Sequence, residues 1–162
     1  MKKNLLVILL VLSGCAATGP ISAPNFANLV ANAIPANDGQ MEMYGTATWY
    51  ANTKGFTAVR SAFLSKPADP IPGVLVLTNN AILFQQWEET TKSYDVIKRF
   101  EYKDLLSSTL DSYGLGRRIV IRKKDLSFDT FEFTRGNGGF IDGKKVEESV
   151  PFLQKKIKQF NG

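Results

Sequence analysis

Apolar positions along this chain change their spacing three times. From Leu5 to Leu12, eight apolar residues run without a break. Phe26, Leu29, Val30, Ala33 and Ile34 then recur at i, i+3, i+4, i+7 and i+8, the spacing of one helix face. From Met41 to Thr134, short runs of β-branched and aromatic residues alternate with turn residues, which is a strand pattern. Val146, Val150, Leu153, Ile157 and Phe160 finally return to helical steps of four and three.

The strand region divides at its turn residues. Strands are expected over 43–51, 56–64, 73–78, 81–87, 94–102, 109–113, 117–123 and 127–134. Asn79-Asn80 makes a tight hairpin turn, because asparagine tolerates positive φ. Three prolines mark 65–72 as a loop, and 103–106 reads as a helical turn. Pro151 falls inside the terminal helical stripe, where a proline costs about 3 kcal/mol in a helix interior. The regular helix is therefore expected to start near Ser149, with 143–148 as a looser lead-in.

The segment 16–25 has small residues, Gly19, Pro20 and Pro24, and no periodicity. It reads as a tether that would reach ~30 Å when extended. The stripe from Phe26 to Ile34 is expected to dock on the domain core. The other reading places it on a membrane surface, but its polar face holds asparagines and no basic residue.

The first apolar run is too short to cross a bilayer, which takes roughly 20 residues. It follows Lys2 and Lys3 and precedes Ser13 and Gly14, the three-part plan of a secretory signal. Leu12-Ser13-Gly14-Cys15 resembles the lipobox of bacterial lipoproteins. That resemblance implies a diacylglyceryl thioether on Cys15, cleavage after Gly14, and a covalent lipid anchor that does not span the membrane. Ala16 stands where an aspartate would resemble an inner-membrane retention signal. The expected location is the bacterial cell envelope, at the outer membrane facing the periplasm.

Composition narrows the chemistry. Loss of residues 1–14 leaves 148 of the 162 residues, enough for one domain. Lys2 and Lys3 leave with the signal, so Lys+Arg falls from 20 to 18 against 15 acids, a net charge of +3. There is no histidine, and the one cysteine is assigned to the anchor. A histidine-based triad and Cys/His zinc sites are thereby excluded. Glu88-Glu89 points to opposite faces of a strand and makes a poor dyad. Glu147-Glu148 sits beside Lys144-Lys145, and Gly136-Asn137-Gly138-Gly139 lacks the Lys-Ser/Thr ending of a phosphate loop. No enzyme activity, cofactor or metal is expected, and nucleic acid does not suit an exported chain of this modest charge.

About seven short strands followed by one amphipathic helix resemble the pleckstrin-homology (PH)-like plan. Gly73-Val74-Leu75-Val76-Leu77-Thr78-Asn79-Asn80-Ala81-Ile82-Leu83-Phe84 resembles the central hairpin of GRAM and bacterial PH-like domains. The stretch from Val96 to Leu105 looks like the next strand of that family. The resemblance implies a mainly β (α+β) fold: a seven-stranded, partly open barrel or sandwich capped by a C-terminal helix, with a short N-terminal helix. The expected organisation is a signal peptide over 1–14, a tether over 15–25, a short helix and loop over 26–40, and a PH-like domain over 41–162. Lys54 and Arg60 could begin a phosphoinositide pattern, but Ala62 stands where its second arginine belongs, so no such site is carried over.

The resemblance favours a binding or scaffolding module with a protein partner in the envelope. The alternative is a lipid- or glycan-binding protein using a basic face. Its candidate anion-binding residues are Lys98, Arg99, Arg117, Arg118, Arg122 and Lys123. Those charges suit strand ends that guard an edge against aggregation better than they suit a binding face.

Overall fold

The structure is a computed structural model that describes residues 17–53, 69–113, 116–136 and 139–162. The lipobox, the strand expected over 56–64, and Lys54, Arg60 and Ala62 lie outside the described residues. The elements are α1 (Phe26–Asn32), β1 (Met41–Thr53), β2 (Pro70–Thr78), β3 (Ala81–Glu88), β4 (Ser93–Glu101), β5 (Leu105–Tyr113), β6 (Gly116–Lys123), β7 (Phe128–Arg135), the two-residue β8 (Phe140–Ile141) and α2 (Gly143–Asn161).

All strand pairs are antiparallel, in the order β4-β3-β2-β1-β7-β6-β5, with β8 added beside β7. Two meanders, β1–β4 and β5–β7, are joined because β1 pairs with both β2 and β7. Tyr44 lies opposite Val76 on one side of β1, and Trp49 lies opposite Phe131 on the other. β4 and β5 end the path and do not pair. The result is the expected mainly β, seven-stranded PH-like plan with its helices, open at one seam.

The continuous apolar runs of β2 and β3 follow from burial on both faces. Leu75, Leu77, Ile82 and Phe84 join Trp49, Phe100, Phe131 and Phe133 in the main core. Val74, Val76, Ala81 and Leu83 face the other way, into a second cluster with Val30 of α1 and Tyr94. α1 thus lays its stripe on the outer face of the first meander, with Phe26, Leu29, Ala33 and Ile34 packed around it. That apolar face packs on the domain, with Val30 fully buried and the other four partly buried.

Two expectations need correction. The segment before α1 is not an extended tether, because from Ala17 it is bonded to the domain. The Ala17 carbonyl accepts from the Trp87 N–H at 3.0 Å, and the Thr18 carbonyl accepts from the Tyr94 hydroxyl at 2.6 Å. Nor does the terminal helix wait for Ser149. It runs 19 residues from an Asp142 cap whose carboxylate accepts from the Lys145 N–H, and Pro151 lies inside it. Val146 and Val150 are buried one turn apart, so burial holds the helix through the proline. Pro151 itself is exposed, so the carbonyl it leaves without a donor faces water. A smaller difference is that β5 begins at Leu105, four residues before the expected 109, where buried Leu105 seats the strand in the core.

Candidate functional site

A seam opens where β4 and β5, the two ends of the strand order, do not pair. A short 3-10 turn, Tyr102–Asp104, carries the chain from one edge strand to the other. Tyr102 anchors that turn from below: it is fully buried and donates to the Thr78 carbonyl at 2.9 Å. Burial pushes its phenol well above the ordinary range, so it stays a neutral donor. The β6–β7 turn comes up beside it, and the Lys124 N–H donates to the Asp104 carbonyl at 2.9 Å. Between these parts lies a cleft of about 490 Å³ lined by Lys98, Arg99, Glu101, Asp104, Lys123 and Lys124 among others.

The charges of the cleft divide into engaged and free. Arg99 donates to both oxygens of Asp38 at 2.7–3.1 Å and to Glu101 at 2.6 Å. Lys103 reaches Glu101 at 2.6 Å, and with Arg99 it holds that carboxyl below its ordinary range. Lys123 pairs with the buried Asp129 at 2.8 Å, and Asp129 also accepts from the Trp49 indole N–H at 2.8 Å. Asp125 is held in its ionised form by the hydroxyl and backbone N–H of Ser127. Lys98 lies 5.6 Å from the centre of the Phe100 ring, a cation–π distance. Among the described residues, neither Lys98 nor Lys124 has an acidic partner at ion-pair distance.

Of the six basic residues singled out in the sequence, Lys98, Arg99 and Lys123 meet at this cleft. The other three do not. Arg117 pairs with Glu147 of α2. Arg118 pairs with Glu132 and lies over the Tyr50 ring at 5.0 Å. Burial and that neighbouring Glu132 carboxylate push the Tyr50 phenol up. Arg122 lies 5.9 Å from the Phe128 ring centre. The alternation of a strand separates Arg118 and Arg122 from Arg117 and Lys123, so adjacent basic residues do not make one face. Sequence reasoning missed the buried carboxylates Asp38 and Asp129, which bind two of the expected anion ligands from below.

A second groove, about 430 Å³, lies between β5 and α2. Here the helix closes on the edge strand. Gln154 donates to the Ser108 carbonyl at 3.0 Å, and Asn161 donates to the Leu105 carbonyl at 3.0 Å. Side chains thus occupy carbonyls that an edge strand would otherwise offer to another chain.

No family model and no curated protein matches the sequence. Solved structures with similar backbones do exist. The Slm1-PH domain in complex with phosphoserine is 13% identical, with a TM-score of 0.48 over 73% of this chain and 96% of that one. The hSac2 domain from human phosphoinositide phosphatase Sac2 is 12% identical, with a TM-score of 0.49 over 84% of this chain and 80% of that one. The PH domain of USP37 is 14% identical, with a TM-score of 0.39 over 72% and 95%.

Chemically, the seam cleft offers two lysine ammonium groups at a gap between strands. Among the described residues no group of His, Cys, Asp and Glu is placed to hold a metal ion. The arrangement suits capture of an acidic group by charge and hydrogen bonding.

Proposed function

We propose that this protein is a bacterial lipoprotein, anchored through a lipid on Cys15, whose PH-like domain is a non-enzymatic binding or scaffolding module in the cell envelope. Its partner is a protein, and its place is the outer membrane facing the periplasm. The seam cleft carries the binding part of this reading, because Lys98 and Lys124 line it without an ion-pair partner among the described residues, beside the carboxylates of Asp104 and Asp125. A partner segment that offers acidic groups to Lys98 and Lys124 and donors to Asp104 and Asp125 is the chemistry that fits. The dispersal of Arg117, Arg118 and Arg122 over other contacts weighs against the broad basic face that a lipid or glycan reading needs.

Two experiments test it. Cys15→Ser should abolish metabolic labelling with palmitate; unchanged labelling sinks the anchor. A photo-crosslinker placed at Lys98 should give one defined protein adduct in intact cells, and Lys124→Glu should remove it. An adduct indifferent to Lys124→Glu would sink the cleft as the binding site, and turnover on an ester, peptide or glycoside panel would sink the non-enzymatic reading.

A further inference from the structure

The start of the described chain is fixed at three successive residues. Ala17 and Thr18 give their carbonyls to Trp87 and Tyr94. Gly19 follows at φ +69°, beneath the same two rings. A Cβ there would come 2.6 Å from the Tyr94 hydroxyl and 2.9 Å from Trp87, so only glycine fits this close approach. The Ile21 N–H donates to the Gly19 carbonyl and the Ala23 N–H to the Pro20 carbonyl, and these turns lead directly into α1. There is no slack between Ala17 and the sheet.

Cys15 stands two residues before Ala17. A fully extended chain advances at most ~3.5 Å per residue, so two residues reach no more than ~7 Å. A free tether of ten residues would instead allow ~30 Å and any orientation.

We propose that this docked strap turns the lipid anchor into an orienting clamp, which holds the β3–β4 end of the domain against the membrane surface. This inference rests on the reading of Cys15 as the lipid-bearing residue. The chemistry of that end suits headgroup depth. Trp87 is only partly buried, and its indole N–H donates to Glu89 at 2.8 Å. Lys92 pairs with Glu89, and Glu88 accepts from the hydroxyl and N–H of Thr90 at 2.7 and 3.0 Å. Among the described residues the turn keeps one uncompensated carboxylate, Glu88, so it is the amphipathic Trp87 ring, and not charge, that suits this end to headgroup depth. β4 leads away from this corner, and Lys98 stands four residues beyond Tyr94, or ~13 Å at the rise of a strand. The seam cleft is thereby kept clear of the headgroups and open to a partner.

The test uses the full chain, acylated in cells and reconstituted into phosphatidylethanolamine–phosphatidylglycerol vesicles that carry a headgroup-region quencher. A fluorophore is attached at Lys92→Cys or, at the far end of β4, at Lys103→Cys; the native cysteine is blocked by its lipid. The label at 92 should lose most of its emission while that at 103 keeps most of it. A flexible Gly-Ser linker of about six residues between Ala16 and Ala17 should erase the difference. Equal quenching in the acylated parent, or a difference that survives the linker, overturns the clamp. A protein mass without acyl groups overturns the anchor reading, and the clamp with it.

Discussion

The guanidinium of Arg99 closes on both oxygens of the fully buried Asp38 carboxylate, from a strand 61 residues further along the chain. The pair ties the loop after α1 to the edge strand β4. Removing Arg99 would leave a buried charge with no counter-ion, the expensive half of any buried ion pair. Arg99→Ala is expected to lower unfolding free energy by about 3–5 kcal/mol, measured by urea denaturation. Arg99→Ala combined with Asp38→Ala should recover part of that loss. A single variant within about 0.5 kcal/mol of the parent would show the pair to be idle.

Tyr94 makes the strap sensitive to alkali. Burial raises its phenol from 10.0 to about 12, so the folded state favours the neutral donor that holds the Thr18 carbonyl. The sign follows: this contribution is fully present below pH 10 and disappears as pH rises from 10 to about 12. Buried Tyr102 shares the direction, so the difference between the parent and Tyr94→Phe isolates the strap. That difference, followed by thermal melts, should shrink toward zero across this window. A constant difference would refute the assignment.

Gly73 opens the hairpin whose pattern stood out in the sequence. A Cβ there would meet the Gln85 carbonyl oxygen at 2.4 Å and the Phe84 ring at 2.7 Å. Neither neighbour moves cheaply, since one is backbone and the other is fully buried. Gly73→Ala should cost about 1–3 kcal/mol. Gly139→Ala, with nothing within 4 Å, should be nearly neutral in the same denaturation series.

Pro151 is a site for stabilisation. It removes one hydrogen bond from the middle of α2 on the exposed side. Pro151→Ala restores the donor but loosens the unfolded chain, a loss of ~1 kcal/mol against a gain of ~3. A net gain of about 1–2 kcal/mol is expected, read as a higher Tm. A lower Tm would mean that the proline shapes the helix to its seat.

The sheet was legible because its strands keep period and punctuation together. Val74 to Thr78, Asn79-Asn80 and Ala81 to Phe84 say strand, turn, strand at every level. The stripe of α1 was legible for the same reason. The fate of single polar groups was not. Nothing near Arg99 in sequence points to Asp38, and nothing near Trp87 points to Ala17, because both contacts depend on how strands are stacked. Pro151 misled because local propensity argued for a later helix start, while the burial of Val146 and Val150 decided otherwise. The run of basic residues on β6 shows a third kind of limit to reading by adjacency. Alternation puts Arg118 and Arg122 on one face and Arg117 and Lys123 on the other, a separation that adjacency in sequence does not display.

β1 has a further consequence. One of its edges meets β2, its neighbour in the chain; the other meets β7, with Thr46 bonded to Thr134 across 88 residues. The first meander can pair as soon as it exists, whereas the second must wait for a long loop to close before any contact repays its entropy. During that wait Leu75, Leu77, Ile82 and Phe84 line a half-built sheet with nothing opposite them. A transient species that exposes this face during refolding is the expected outcome, read as binding of an apolar dye that rises and then fades.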